Sequence, residues 1–311
     1  MAILLHVRPD VSAWSREEFY LNAPPYSIAL DGIVRGSTWR DHKRHYANFN
    51  HHEDCDRLAT RATCEQIYFS ILQGFFNAFK VGKEIQLNVW VNDCDEDVAM
   101  AVYCLRHRKM IGKEENGRLR RLVDTEGRMD CVGGCLHIRK DAPILEEMAW
   151  IFEPYRTARL KGQLKSRDPA VFLQVIEAVE ERIHANIHGR GERNKLDLRY
   201  DKIHSGNGWD MIVEEGGQAR LGFVGDGGTA FVSVHKRPNG EVFDYSLGRI
   251  GPDIPFDLFE LYSLLNVAEG LEGDTDRWGG SDLIGGSPRI RGSLIKPDEL
   301  ARLIDEFKQH T

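Results

Sequence analysis

Two adjacent histidines, His51 and His52, follow the short apolar run YANF and sit directly behind Asn50. Neutral imidazoles are ligands for divalent metal ions, and a pair of them at a strand end is suited to that task. Carboxylates close other runs in the same half of the chain: Asp31 ends YSIALD, Asp93, Asp95 and Asp97 follow IQLNVWV, and Asp124 ends RLRRLVD. Hard or borderline divalent cations need several carboxylate oxygens and imidazole nitrogens converging at roughly 2.0–2.3 Å, and strand ends of an α/β sheet are where side chains converge. Alone, each piece has a plain reading: Asp31 before Gly32 is a turn aspartate, Asp97 caps the helix that follows it, and the histidines are hydrogen-bonded residues. Together they predict a metal centre of the kind that clamps phosphoryl oxygens and activates a water.

Those residues need a sheet to hold them. From about 26 to 152 short apolar runs alternate with amphipathic stretches, the pattern of strands and helices in a parallel sheet. SIALDG and IQLNVWV read as strands and DVAMAVYCLRHRK as a helix, while RLRRLVD reads as a strand end or a loop. A further helix is expected over 63–80, with Ile67, Ile71, Leu72, Phe75 and Phe79 as a core-facing stripe at helical spacing. Between 140 and 195 the pattern is charged helix, with Pro169 suited to a first helical turn and Gly189 to a helix end, which reads as a connector between lobes. His184 and His188 lie at i,i+4 there, but no acidic residue stands in the zincin arrangement, so a solvated helix face is expected. From 196 the chain is rich in strands and glycine, and Pro238-Asn239-Gly240 reads as a hairpin turn. The expected fold class is α/β: a parallel-sheet metal-binding lobe with helices on both faces over 1–139, a helical connector over 140–195, and a smaller α+β accessory domain over 196–311.

A length of 311 residues suits about two domains with ample core. The formal net charge of -7 argues against a surface that coats long nucleic acid, although Arg118, Arg120 and Arg121 offer a local basic groove. Six cysteines without paired CxxC knuckles point to a reducing compartment; Cys131 and Cys135 are half of a zinc spacing with no second half. The start MAILLHVRPD has no basic leader and no run reaches the ~18 apolar residues of a membrane span, so a cytoplasmic protein without membrane association is expected.

The motifs as a set resemble the DHH superfamily of phosphoesterases, which includes RecJ-type exonucleases, oligonucleotide and cyclic-dinucleotide phosphodiesterases and manganese pyrophosphatases. The family has a strand ending in Asp, then about twenty residues later an Asp-His-His triplet and a Ser/Thr-rich helix start, here LATRATCEQIYFSIL. Its aspartate-rich motif resembles VWVNDCDEDVAMAVYCL, and its fourth motif, an Asp-Thr pair followed by Gly, resembles LVDTEGRMD. The order differs, because Asp31 and the His-His segment here precede the aspartate-rich motif, and Asn50 stands where the family has Asp.

The resemblance implies that Asp93, Asp95 and Asp97 are the first-motif carboxylates, Asp31 the bridging carboxylate, His51 a ligand, and Asp124 a ligand of the second ion. It places His52 and Asp97 in catalysis, with His52 on the substrate phosphate, and Asn50 in support of the neighbouring histidine. A glycine-rich C-terminal stretch resembles the substrate loop of the family's accessory domain, which implies substrate binding by Arg249, Gly285, Gly286, Ser287, Arg289 and Arg291, with the motif's histidine absent. The implied activity is hydrolysis of a phosphodiester, phosphomonoester or phosphoanhydride bond of a nucleotide or short oligonucleotide by metal-activated water, with two Mn²⁺ or Mg²⁺ ions. The alternative is a nucleotide- or phosphate-binding regulator of the same fold with reduced turnover. A homodimer is compatible with either.

Overall fold

A computed structural model describes the chain except for Met1, Asp54, 113–116, 238–239 and Thr311, and for the side chains of Ala2 and His310. The chain forms two compact units, Met1–Asp130 with Pro143–Lys195, and Cys131–Ala142 with Leu196–Thr311. Most of the expected connector therefore belongs to the first unit, and the short segment before it to the second.

The first unit runs β1 (Ala2–Val7), α1 (Arg16–Asn22), β2 (Ser27–Leu30), β3 (Trp39–Asp41), β4 (Tyr46–Phe49), α2 (Thr63–Leu72), β5 (Lys80–Val81), β6 (Glu84–Val91), α3 (Glu96–Arg106), α4 (Gly117–Cys131), α5 (Pro143–Ile151), α6 (Glu153–Leu160) and α7 (Pro169–Ile187). Its sheet has the order β1-β6-β2-β4-β3, with β5 a short appendage on β6. The pairs β1/β6, β6/β2 and β2/β4 are parallel, whereas the edge strand β3 and the short β5 are antiparallel to their neighbours β4 and β6. β2 and β4 are buried at every position, as expected for central strands covered on both faces. Side-chain alternation assigns the cover. Ala29, Tyr46 and Trp90 pack with Phe19 of α1, whereas Phe49, three residues from Tyr46, meets Phe75 on the opposite face.

The sheet therefore aligns three carboxyl ends. Leu30 pairs with Phe49, and Ala29 pairs with Trp90, so the residues just beyond β2, β4 and β6 emerge side by side. The expected helix over 63–80 is shorter than its apolar stripe. Gly74, at φ +86°, ends it, and the chain continues as a 3-10 turn over Phe75–Phe79. RLRRLVD is neither strand end nor loop; it is the amphipathic start of α4, and Leu119, Leu122 and Val123 are its buried side. α7 begins as its sequence suggests, with Pro169 in the first turn behind an Asp168 cap.

The second unit comprises β7 (Tyr200–Gly206), β8 (Trp209–Glu214), α8 (Ala219–Gly225), β9 (Ala230–Lys236), β10 (Phe243–Arg249), α9 (Leu258–Glu269), β11 (Gly279–Gly280), β12 (Ile284–Gly286) and α10 (Pro297–His310). Its sheet, β11-β12-β10-β9-β8-β7, is antiparallel except for β8/β9, which α8 joins as a crossover. Met211, Val232 and Leu247 face Leu261 and Leu300 of α9 and α10, while Ile212 and Phe231 face Phe223 of α8 and Cys135. β9 and β10 pair antiparallel, but the expected turn residues Pro238 and Asn239 lie outside the described residues. Among the described residues no helix is long and apolar enough to cross a membrane.

Candidate metal centre

Asp31 leaves β2 in the left-handed region at φ 53°, followed by Gly32 at φ 87°. This double turn is uncommon for a residue with a side chain, though Asp tolerates it better than most. Its N–H still donates to the Phe49 carbonyl at 2.8 Å, so the carboxylate is locked beside the end of β4. There the chain continues into Asn50, His51 and His52. His51 is fully buried, and its Nε2 stands 2.7 Å from Asp130 Oδ2, 3.4 Å from Asp31 Oδ1 and 3.6 Å from Asp97 Oδ2.

Asp97 reaches this point in an unexpected way. Asp95, not Asp97, caps α3, its side chain accepting from the Val98 N–H. Asp97 instead caps α2, accepting from the Thr63 N–H at 2.8 Å and the Cys64 N–H at 2.7 Å. Ala62 at the N-cap position of α2 has no side chain for this purpose, so the carboxylate of a different helix satisfies the orphan donors. Thr63 then donates its hydroxyl to Asp31 Oδ1 at 3.0 Å, tying the same helix start to the second carboxylate.

Asp130 and Arg57 complete the cluster. Arg57 is almost fully buried and donates to the Asp130 carbonyl at 2.6 Å, to Asp130 Oδ2 at 3.1 Å and to His52 Nδ1 at 2.8 Å. Arginine has no acceptor, so His52 Nδ1 must carry the lone pair and its proton is assigned to Nε2, which donates to Asp31 Oδ1 at 2.9 Å. In this network His52 is a donor, and binding a metal through Nε2 would require that proton to leave.

The carboxyl groups respond to one another in opposite directions. Burial works to raise Asp31, but His52 and His51 overcome it and hold the group well below the usual carboxylate range. Asp130 is likewise lowered, with His51 and Arg57 outweighing burial. Burial pushes Asp97 up to about 7, helped by the charges of Asp31 and Asp130. Asp95 is pushed well above its ordinary value by burial and then by Asp31, Asp93, Asp130 and Asp97. A protein site that crowds carboxylates this way holds more negative charge than its own cations neutralise.

Two groups of side chains offer ligand atoms within 4.8 Å of one another, Asp31/His51/His52 and His51/Asp97/Asp130. The oxygen and imidazole donors fit a divalent ion of the Mn²⁺, Mg²⁺ or Zn²⁺ type. Glu126, one turn before Asp130 on α4, adds a buried Oε2 with no hydrogen-bond partner among the described residues. Its carboxyl is raised well above normal by burial and then by the charges of Glu96, Asp130 and Asp97.

The structure thus brings together Asp31, His51, His52 and Asp97 of the expected set, with Asp95 close by and Asp93 turned onto the Cys94 N–H at 2.7 Å. It does not bring Asp124 there. Asp124 is half-buried and lies 3.6 Å from Arg120 in an i,i+4 pair. Six residues along a helix turn the side chain by about 240°, so Asp130 faces the cluster where Asp124 cannot. Asn50 directs Oδ1 to the His52 N–H at 3.1 Å and donates through Nδ2 to the Gly36 carbonyl at 2.8 Å. An aspartate could not make that donation.

In the second unit most of the residues expected to bind substrate have internal partners. Arg249 is buried and donates to the carbonyls of Asp282, Pro252 and Ile254. Gly285 and Gly286 permit close strand packing, since an added Cβ would come within 2.0 Å of Tyr262 Oη and 2.2 Å of the Tyr245 carbonyl respectively. Ser287 Oγ accepts from the Tyr245 N–H at 3.0 Å, Arg291 pairs with Asp274 at 2.8 Å, and Arg289 is exposed.

Asp130 had a sequence signal, since it ends the stretch LVDTEGRMD that drew attention to Asp124. Arg57 had none, because a buried arginine looks like a surface one in sequence. Compared with models of known families, with curated proteins and with solved structures, the chain finds no match.

Proposed function

We propose that the first unit is a metal-dependent phosphoesterase, acting on a nucleotide or short oligonucleotide. The observation that carries this reading is the convergence of Asp31, His51, Asp97 and Asp130 from separate elements onto one buried point at the carboxyl ends of parallel strands. Crevices at that end of an α/β sheet are the usual place for ligands. The resemblance of the motifs to the DHH superfamily, in permuted order, agrees with the reading.

Asp31, His51, Asp97 and Asp130 would hold one or two Mn²⁺ or Mg²⁺ ions. Bound there, a divalent ion supplies positive charge that acidifies water and neutralises developing charge on phosphoryl oxygens. The chain's own residues orient and donate. His52, its ring fixed by Arg57, gives its Nε2 proton to Asp31 Oδ1 and so orients that carboxylate; a phosphoryl oxygen would have to replace Asp31 as the acceptor of that proton. Arg57 also holds Asp130 in place from within the protein. Thr63 and the start of α2 fix Asp31 and Asp97 relative to each other.

The test is a hydrolysis panel of bis-p-nitrophenyl phosphate, dinucleotides and pyrophosphate with Mn²⁺-loaded protein. Cleavage of at least one member that disappears in His51→Ala supports the reading. No cleavage, with a working control enzyme in the same buffer, refutes turnover; nucleotide binding under those conditions would favour the regulatory alternative.

A further inference from the structure

A cavity of about 580 Å³ lies in the first unit, lined by β3, β4, the last turn of α2 and the 3-10 turn over Phe75–Phe79. Gly74 opens it by ending α2 and turning the chain aside. Thr63, at the other end of α2, touches Asp31, so about one helix length, roughly 15 Å, separates the cavity from the metal cluster. The volume falls in the ordinary range for a small-molecule site.

Its chemistry has two halves. The walls are aromatic, with Tyr46, Phe75 and Phe79 buried and Phe69 half-buried; the Phe75 and Phe79 rings lie 4.6 Å apart. The rim carries Arg40, His42 and His45. Asp41 is the one carboxylate among the lining residues, and it is already engaged, accepting from the Tyr20 hydroxyl at 2.9 Å and from the Lys43 and Arg44 N–H groups at 3.1 Å. Arg40 is exposed, lies over the Phe49 ring at 4.9 Å and donates to Ser70 Oγ at 3.1 Å, which leaves further guanidinium N–H groups for a ligand. His45 donates through Nδ1 to the Ala78 carbonyl at 2.8 Å, fixing its ring at the mouth.

We propose that this cavity is a binding site for a small aromatic anion, with the ring among Tyr46, Phe75 and Phe79 and the acidic group on Arg40. Flat rings gain from edge and stacked contacts with such walls beyond simple burial. A negative group meets the Arg40 guanidinium without a competing free carboxylate. The assignment does not depend on the metal cluster or on turnover.

The test titrates the full chain calorimetrically, in EDTA, with naphthalene-2-sulfonate, 2-naphthol and 2-naphthylmethylammonium. The sulfonate is expected to bind one per chain, about tenfold tighter than the alcohol, and the ammonium more weakly than either. Arg40→Gln, an exposed substitution, should lower sulfonate affinity about tenfold and leave the alcohol unchanged, as loss of one charge-assisted contact predicts. Ala78→Trp, which fills the cavity, should remove both. Equal affinity for the three probes overturns the proposal. So does unchanged sulfonate affinity in Arg40→Gln, which decides alone if Ala78→Trp fails to fold.

Discussion

Asp97→Asn gives a test that follows from the electrostatics of the cluster before any metal is added. Burial, with Asp31 and Asp130 nearby, pushes the Asp97 carboxyl up to about 7 from 3.8. A group with a raised native pKa binds its proton more tightly in the folded chain than in the unfolded one. Between about pH 4 and 7 the native state therefore holds the extra proton, and the contribution of Asp97 to stability falls as pH rises through that window. A shift of about three units corresponds to ~4 kcal/mol at about 1.36 kcal/mol per unit. Asp31 and Asp130 are lowered and act in the opposite sense, so the wild-type curve alone is a sum.

The difference between wild type and Asp97→Asn isolates the one group. Asparagine resembles the protonated carboxyl and lacks one acceptor for the Thr63 and Cys64 N–H groups, which costs about 1–2 kcal/mol at every pH. In urea denaturation with EDTA, the variant should gain on wild type by ~3 kcal/mol between pH 4.5 and 7.5, the part of the full effect that falls in that window. Saturating Mn²⁺ should reverse the order at pH 7.5, because wild type binds the ion with one more carboxylate. A stability difference that stays flat across that pH range refutes the argument that Asp97 is buried among uncompensated carboxylates.

Asp130→Asn should weaken Mn²⁺ binding by about 10–100-fold in calorimetry, whereas Asp124→Asn, which pairs with Arg120 away from the cluster, should change it less than about twofold. Arg57→Gln removes a buried cation from Asp130 and His52 and should cost about 3 kcal/mol in urea denaturation, well above the effect expected of a surface arginine. Asn50→Asp replaces the Nδ2 donor with a carboxylate facing the Gly36 carbonyl, so its melting temperature should fall at pH 7.5 and recover towards wild type as the new carboxyl is protonated.

Strand ends were legible because their signal is local: an apolar run followed by Asp31 or by Asn50-His51-His52 needs only the period of a strand to be placed. The identity of the last ligand was not. LVDTEGRMD looks alike whether it ends a strand or turns as a helix, and only the helical phase separates Asp124, paired with Arg120, from Asp130 at the cluster. The role of Asp97 was hidden for a related reason. Capping is normally read on the helix that follows, yet Asp97 serves α2 from the neighbouring helix α3, a contact between residues more than thirty positions apart. Gly285 and Gly286 were legible as glycines required by a close approach, but the approaching group is Tyr262 or the Tyr245 backbone within the same unit.

The most direct measurement is the anomalous map of a Mn²⁺-soaked crystal at the manganese edge. A peak within coordination distance, roughly 2.0–2.3 Å, of His51 Nε2 and of oxygens from Asp31, Asp97 and Asp130 is the predicted result. A fully soaked crystal with no peak there, or with manganese held only by Asp124 or by surface carboxylates, would contradict the account.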